Sequence, residues 1–394
     1  MSKPEPATWH VLTGEYPPDR GGVADYSRLV AEHLKRVGIA VEVWCPERSD
    51  SPAEPATSGD LAAVAVHRIT GLLAPLGWLK LHWVGPRHER VILVQYVPHG
   101  WGWHAMNLGF CLGLLWQGQV RREDVRVMFH EVAMPFALRP LRHGLQALVH
   151  RVMAILLLSA SRRVYVSTPA WGEMLSRLSL GLCRPIWLPV PSNIPRVDDP
   201  SAVQRARATL TEGGSDALVI GHFASFGGAS GDLLRESLAW LAEQRANLAI
   251  LLLGHGATAF SAALLSRLDP RLGTRIRVQE DLDPRSLSIF LQACDLLLQP
   301  YPDGVTTRRG STMAALANGV PLVTNLGPLS EQLWTDHQIA ATAPKPDAIQ
   351  LAEAARALMD DPELGRRLAL AGSDHYRANF SLVKTVDMLL SADA

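Results

Sequence analysis

A chain of 394 residues is too long for one ordinary core and reads as two or three domains. Hydrophobic residues make up 47% and charged residues 19%, which excludes a disordered chain. Lys+Arg and Asp+Glu balance at 38 each, which argues against a general nucleic-acid binder. The balance is uneven along the chain. Residues 1–195 hold 20 Lys and Arg against 15 Asp and Glu, and the remainder holds 18 against 23. Nine of the 11 Trp and ten of the 14 His also fall in the first half, so the two halves are expected to handle different ligands.

From the N-terminus, no apolar run of the signal-peptide type appears in MSKPEPATWHVLTG. Short, continuous apolar runs then alternate with longer helical patterns. The runs are His10–Thr13, Val41–Cys45, Val91–Val97, Val125–Phe129, Val164–Ser167 and Ile186–Pro189. They resume at Leu218–Phe223, Leu248–Leu253, Ile276–Val278, Leu296–Gln299 and Pro321–Thr324. Continuous rather than alternating runs suit strands buried on both faces of parallel sheets. Between them, Ser27–Val37 sets Leu29, Val30, His33 and Leu34 at helical spacing. Leu141, Leu145, Leu148, Val149, Val152 and Leu156 form a second apolar stripe, with Arg142, Gln146 and His150 on another face. The proline-rich stretch LPVPSNIPRVDDP, 188–200, reads as a linker. The expectation is an α/β protein of two doubly wound, Rossmann-like domains facing across a cleft, with ligands beyond the carboxyl ends of the strands. The domains are 1–190 and 191–375, with a last helix, 376–394, crossing back to the first. Cysteines at 45, 111, 183 and 294 form no CxxC pair, so neither a zinc site nor a disulfide framework is supported, and a cytoplasmic setting fits.

Several loops carry candidate chemistry. The first strand ends in TGEYPPDRGGVADYS, where Gly21–Gly22 lets backbone approach a ligand at a helix start; a plain tight turn fits equally well. His130–Glu131 follows a buried strand and is placed to meet a sugar hydroxyl or a leaving-group oxygen, or to serve as a loop anchor. GHFASFGGASGDLL, 221–234, is a small-residue loop of either phosphate-binding or merely flexible kind. In Asp281–Leu282–Asp283, helix capping by Asp283 before Pro284 explains the carboxylates better than a metal does. The richest stretch is YPDGVTTRRGSTMAALANGVP. Arg308 and Arg309 stand before Gly310–Ser311–Thr312 at a helix start, where guanidiniums, hydroxyls and amides converge as a diphosphate would require; the alternative is a solvated Arg pair. Arg139, Arg142, His150, Arg151 and Arg162–Arg163 suggest a basic face, either solvated or in contact with anionic lipid or an acidic acceptor.

GEYPPDRGGVADYS, FHE at 129–131, STPAW at 167–171, DLLLQPYPDG, GSTMAALANGVPLVTN, GPLSE and the terminal NFSLVKTVDMLL together resemble the family-4 glycosyltransferases over nearly the whole chain. The resemblance implies the GT-B architecture, a nucleotide-diphosphate sugar as donor, retention of anomeric configuration, and neither cofactor nor catalytic metal. It implies donor contacts from Gly21, Gly22, Ser225, Gly227, Gly254, Glu280, Leu282, Asp303, Gly310, Ser311 and Thr312. His130, Arg308 and Arg309 are the expected catalytic groups. Tyr16, Asp25, Tyr96, His99 and Trp101 are expected on the acceptor side, with a sugar, glycolipid or small molecule as acceptor; Tyr96, His99, Trp101 and Trp103 form either an acceptor platform or merely a packed loop. The basic first half suggests peripheral contact with the inner face of a membrane, and no nucleic acid is expected.

The sequence departs from that family in two places. The usual glutamates eight apart fall on Thr306 and Ala314, with Asp303 approaching the first position. The 221–231 loop lacks Lys and Arg, which leaves Arg308 and Arg309 to supply positive charge. A non-catalytic nucleotide-sugar binder is therefore the alternative, with a sugar-nucleotide epimerase behind it.

Overall fold

A computed structural model describes residues 7–19, 21–47, 64–74, 76–81, 90–102, 105–134, 141–212, 217–224, 226–266 and 275–391. Ser225, Trp103 and Arg139 lie outside them. The chain divides into two compact units, one of residues 1–189 with 382–394, the other of residues 190–381.

The first unit is a seven-stranded sheet. Its strands are β1 (Thr8–Thr13), β2 (Val41–Pro46), β3 (Ala65–Ile69), β4 (Arg90–Tyr96), β5 (Asp124–Phe129), β6 (Arg163–Val166) and β7 (Ile186–Trp187). They run parallel in the order β3-β2-β1-β4-β5-β6-β7. Helices α1 (Gly22–Arg36), α2 (Leu108–Leu115), α3 (Leu141–Ala160) and α4 (Pro169–Leu178) connect them, and α2 runs on as a wider turn through Val120. β4 is buried at all seven positions, as a strand covered on both faces must be. β3 was not legible in the sequence: it is an edge strand whose residues are exposed or half-buried, so no apolar run marks it.

The second unit has six parallel strands. They are β8 (Leu218–Phe223), β9 (Leu248–Leu253), β10 (Ile276–Gln279), β11 (Leu296–Gln299), β12 (Leu322–Asn325) and β13 (Ala341–Ala343), in the order β10-β9-β8-β11-β12-β13. The short edge strand β13 is likewise additional to the expected set. Its helices are α5 (Pro200–Leu210), α6 (Gly228–Gln244), α7 (Ala257–Leu265), α8 (Pro284–Gln292), α9 (Gly310–Asn318), α10 (Leu333–Asp336), α11 (Ala348–Asp360) and α12 (Pro362–Asn379). Asp199 ends the 188–200 linker by capping α5, accepting from the Ala202 amide at 3.0 Å, with Pro200 as the first helical residue.

The helix expected over 376–394 is shorter. Residues 376–379 finish α12, and the segment counted with the first unit is α13 (Leu382–Leu390). Arg126 holds it by donating to the Leu389 carbonyl at 2.7 Å, and Arg163 bonds the Ser391 carbonyl.

The apolar stripe of α3 is only partly its buried face. Ala147, Met153, Ala154 and Leu157 pack into the core with Val149 and Leu156 against it, whereas Leu145, Leu148 and Val152 are exposed. His150 is fully buried, and Arg151 is half-buried, donating to the Met134 and Ala147 carbonyls. Of the basic face expected there, His150 and Arg151 are drawn inward, while Arg142 and Arg162 stay exposed.

Candidate active site

In a doubly wound sheet, a crevice opens where consecutive connections leave in opposite directions. In the second unit that point lies between β8 and β11, since β8 leads to β9 on one side while β11 lies on the other. The helices that follow these two strands are α6 and α9, and no side chain caps either N-terminus. A methyl group built on Gly227, Gly228 or Gly310 would meet nothing within 4 Å. Both helix starts thus offer unpaired amides to open space, which favours an anion.

Arg308 and Arg309 stand at the start of α9, and Asp303 holds both. Arg308 Nη2 lies 2.9 Å from Asp303 Oδ2, and Arg309 pairs with Oδ1. The Arg309 guanidinium also lies over the Tyr301 ring, 4.7 Å from its centroid. Their side chains are 17% and 27% exposed, so they are ordered against the loop rather than extended into solvent. Two guanidiniums thus share one carboxylate at the start of α9.

Asp303, which the sequence placed near the first lost glutamate, is bound by both guanidiniums. One expectation is corrected: the Ser311 and Thr312 hydroxyls do not converge on a phosphate position, since both pair with the Tyr301 hydroxyl at 2.8 Å and Thr312 is fully buried. Their contribution at the helix start is backbone amide alone.

The site also depends on residues that the sequence did not single out. The β11–α9 loop is tied to the loop after β12. Asn325 Oδ1 accepts from the Tyr301 amide at 2.9 Å, and its Nδ2 donates to the Tyr301 carbonyl at 2.7 Å. Gly304 has φ +89, and a methyl group on it would lie 2.3 Å from the Gly327 nitrogen. Glu331 accepts from the Thr307 amide at 3.0 Å, the Thr307 hydroxyl at 2.8 Å and Trp334 Nε1 at 2.7 Å. Burial raises its pKa above the usual carboxylate value, against the opposing pull of those donors. The sequence signal for this lattice was present in TN…GPLSE, but a buried carboxylate in a loop has no periodicity to mark it.

The other donor candidates are placed as follows. Gly254 has φ +115, and a methyl group there would lie 2.4 Å from the Ala224 carbonyl oxygen, so its glycine is required by the backbone itself. Glu280 accepts from the Thr258 amide at 2.8 Å and so caps α7; that bond lowers its pKa. Asp283 accepts from the Arg285 and Ser286 amides at 2.9 and 3.1 Å, the capping arrangement expected of it. Leu282, between them, is half-buried.

In the first unit the corresponding switch lies between β1 and β4. At the start of α1, the Glu15 carboxylate accepts from the Ala24 amide at 3.2 Å. A methyl group on Gly21 would lie 2.5 Å from that carboxylate, whereas one on Gly22 would meet nothing within 4 Å. Gly21 thus makes room for the chain's own anion, and only Gly22 faces open space. Asp25, in the first turn of α1, is half-buried.

His130 follows β5 and is buried. Its Nε2 lies 2.9 Å from Gln95 Oε1, and the Tyr26 ring meets it edge-on at 4.8 Å. Burial lowers its pKa to about 3, so the imidazole is neutral at neutral pH. The STPAW motif holds its backbone, with Ser167 Oγ and Trp171 Nε1 donating to the His130 carbonyl at 2.9 and 3.1 Å.

The expected acceptor platform is largely core. Tyr96 and Trp101 are fully buried: Trp101 stacks on Phe110 at 4.1 Å and donates to the Gln95 carbonyl, and Tyr96 packs on Phe129. Tyr16 is also buried. Of the five acceptor candidates only His99 is exposed. For Tyr96 and Trp101 the packed loop, not the acceptor platform, is what the structure shows; sequence does not distinguish the two, because both call for large aromatics after a strand.

No family model matches the sequence, and no curated protein matches it. Solved structures match across nearly the whole chain. Over 97% of this chain and 98% of the other, it is similar to HepE from Anabaena, solved in complex with UDP and glucose, with 16% identity and a TM-score of 0.68. A sucrose-phosphate synthase from Thermosynechococcus elongatus matches over 97% of both chains, with 15% identity and a TM-score of 0.70. WaaG, a glycosyltransferase involved in lipopolysaccharide biosynthesis, matches over 98% of this chain and all of its own, with 15% identity and a TM-score of 0.62. The chain therefore has the fold of the GT-B glycosyltransferases, built from two Rossmann-like domains.

Proposed function

We propose that the protein is a glycosyltransferase that moves a sugar from a nucleotide-diphosphate sugar to an acceptor hydroxyl, with retention of anomeric configuration and without a catalytic metal. The observation that carries this reading is the guanidinium pair held by Asp303 beside the uncapped start of α9, at the switch point of the second sheet. As the donor bond breaks, negative charge builds on the departing diphosphate. Arg308, Arg309 and the α9 amides are oriented before the reaction, so they stabilise that charge without reorganising. The HepE structures contain UDP and UDP-glucose, which agrees with a uridine donor here. Retention and metal independence rest on the motif resemblance. His130 enters as a neutral imidazole, suited to a hydrogen bond with a sugar hydroxyl and not to cationic acid catalysis.

The test is release of nucleoside diphosphate from a panel of nucleotide sugars, with and without acceptors. Release that depends on Arg308 and Arg309 supports transfer. One observation favours a binder without turnover: Thr306 and Ala314, at the positions of the family's glutamates, are non-acidic and fully buried. Tight donor binding with no release under any acceptor would decide for that second reading.

A further inference from the structure

The outward surface of the first unit is apolar where a water-facing surface should be polar. On α3 the exposed side chains are Leu145, Leu148, Val152 and Ile155, 58%, 52%, 40% and 42% exposed, at spacings of a single helical face. On α2 and its continuation they are Leu108, Leu112, Trp116 and Val120, 39% to 66% exposed, again on one face. The two helices pack against each other, and Gly118 lies so close to the Ala160 carbonyl that a methyl group would sit 2.0 Å from its oxygen. The two apolar faces therefore adjoin. By length and apolarity Arg142–Ala160 would pass for a membrane span, but its other side is fixed in the core through Met153, Ala154 and Leu157.

The patch has a charge signature as well. Within the first unit, residues 132–189 contain seven arginines and one acidic residue, Glu173, which pairs with Arg177. At the C-terminal end of α3 a groove of about 840 Å³ opens between Ile155, Leu158 and Leu182, with Arg162, Arg163 and Arg184 among its lining. Arg162 and Arg184 are exposed and form no ion pair among the described residues. Trp116 carries the Arg121 guanidinium over its ring at 5.1 Å, a pairing suited to a water–lipid boundary.

We propose that this face of α2 and α3 docks on an anionic lipid bilayer, its leucines entering the acyl boundary and Arg162 and Arg184 meeting lipid phosphates. The charge selects this occupant over a second copy of the chain, since a two-fold contact through the same face would set like-charged arginines against one another. The inference is independent of the transferase reading, because the surface needs no donor to bind.

The experiment is co-sedimentation of the full chain with phosphatidylcholine vesicles, with and without phosphatidylglycerol, at low and high salt. Binding is expected to the anionic vesicles and to weaken with salt. Leu148→Ser with Val152→Ser should lower it about tenfold, at an unchanged melting temperature. Arg162→Gln with Arg184→Gln should lower it about tenfold on anionic vesicles only, and flatten the salt dependence. The proposal is overturned by absence of the wild-type chain from the anionic pellet, or by undiminished binding of both variants. It is equally overturned by a dimer in size-exclusion chromatography that Leu148→Ser with Val152→Ser dissociates, which would make a second copy the occupant.

Discussion

The Glu331 carboxylate takes both the amide and the hydroxyl of Thr307 on one oxygen, at 3.0 and 2.8 Å. Thr307 directly precedes Arg308, so this buried carboxylate sets where the two guanidiniums begin. Glu331→Gln keeps the shape but turns one acceptor into a donor, which then faces Trp334 Nε1 or the Thr307 donors. An unsatisfied buried group of this kind costs about 1–3 kcal/mol. We expect that loss in urea denaturation, together with weaker nucleoside diphosphate binding. A variant with unchanged binding would show that the loop keeps its position without Glu331.

If Arg308 and Arg309 stabilise the departing diphosphate as proposed, replacing both by Ala should lower turnover by about 10²-fold or more. Near-wild-type turnover in the folded double variant would remove them from the mechanism.

Asp303 neutralises part of the charge that a diphosphate would use. Asp303→Asn is expected to tighten nucleoside diphosphate binding severalfold at low salt, with the gain shrinking as salt rises. Isothermal titration at two ionic strengths measures this. Weaker binding would mean that Asp303 acts mainly by ordering the arginines.

His130 and His222 should make the protein acid-sensitive. Burial lowers their pKa values from 6.5 to about 3 and about 4; for His222 a bond from Nδ1 to the Leu298 carbonyl opposes the shift. Their stabilising contribution is present above pH 6.5. As pH falls below 6.5 the unfolded chain takes up protons that the folded chain refuses, so stability is lost down through the folded pKa values. The slope is at most about 1.4 kcal/mol per pH unit for each histidine. Denaturation from pH 7 to 5 should show it, and His130→Gln should remove about one proton from the slope. An unchanged slope in that variant would mean that His130 already titrates in the folded state.

The glycines at the loops separate into two kinds. Gly254→Ala places a methyl group 2.4 Å from the Ala224 carbonyl at a positive φ, and should cost about 2 kcal/mol or more. Gly22→Ala and Gly227→Ala meet open space and should leave the melting temperature nearly unchanged. If donor phosphates approach their backbone, these two variants lose donor affinity at unchanged stability. Full donor affinity in both would mark the loops as plain turns.

The alternating α/β plan, eleven of the strands and the helix stop at Asn318–Gly319 are legible in the sequence, because strands packed under helices are continuous apolar runs and caps are local chemistry. It missed β3 and β13, since edge strands need no apolar run. It marked Arg308 and Arg309 through their place before a helix start, and Asp303 as well, but not that Asp303 binds both guanidiniums or that Glu331 sets their loop. Those partners depend on which loops the strand order brings together. That the Ser311 and Thr312 hydroxyls turn inward, that Tyr96 and Trp101 are core, and that Leu145 and Leu148 of α3 face solvent depends on the packing of the elements. An apolar stripe records that a face avoids water; what covers that face is fixed by packing between elements distant in sequence.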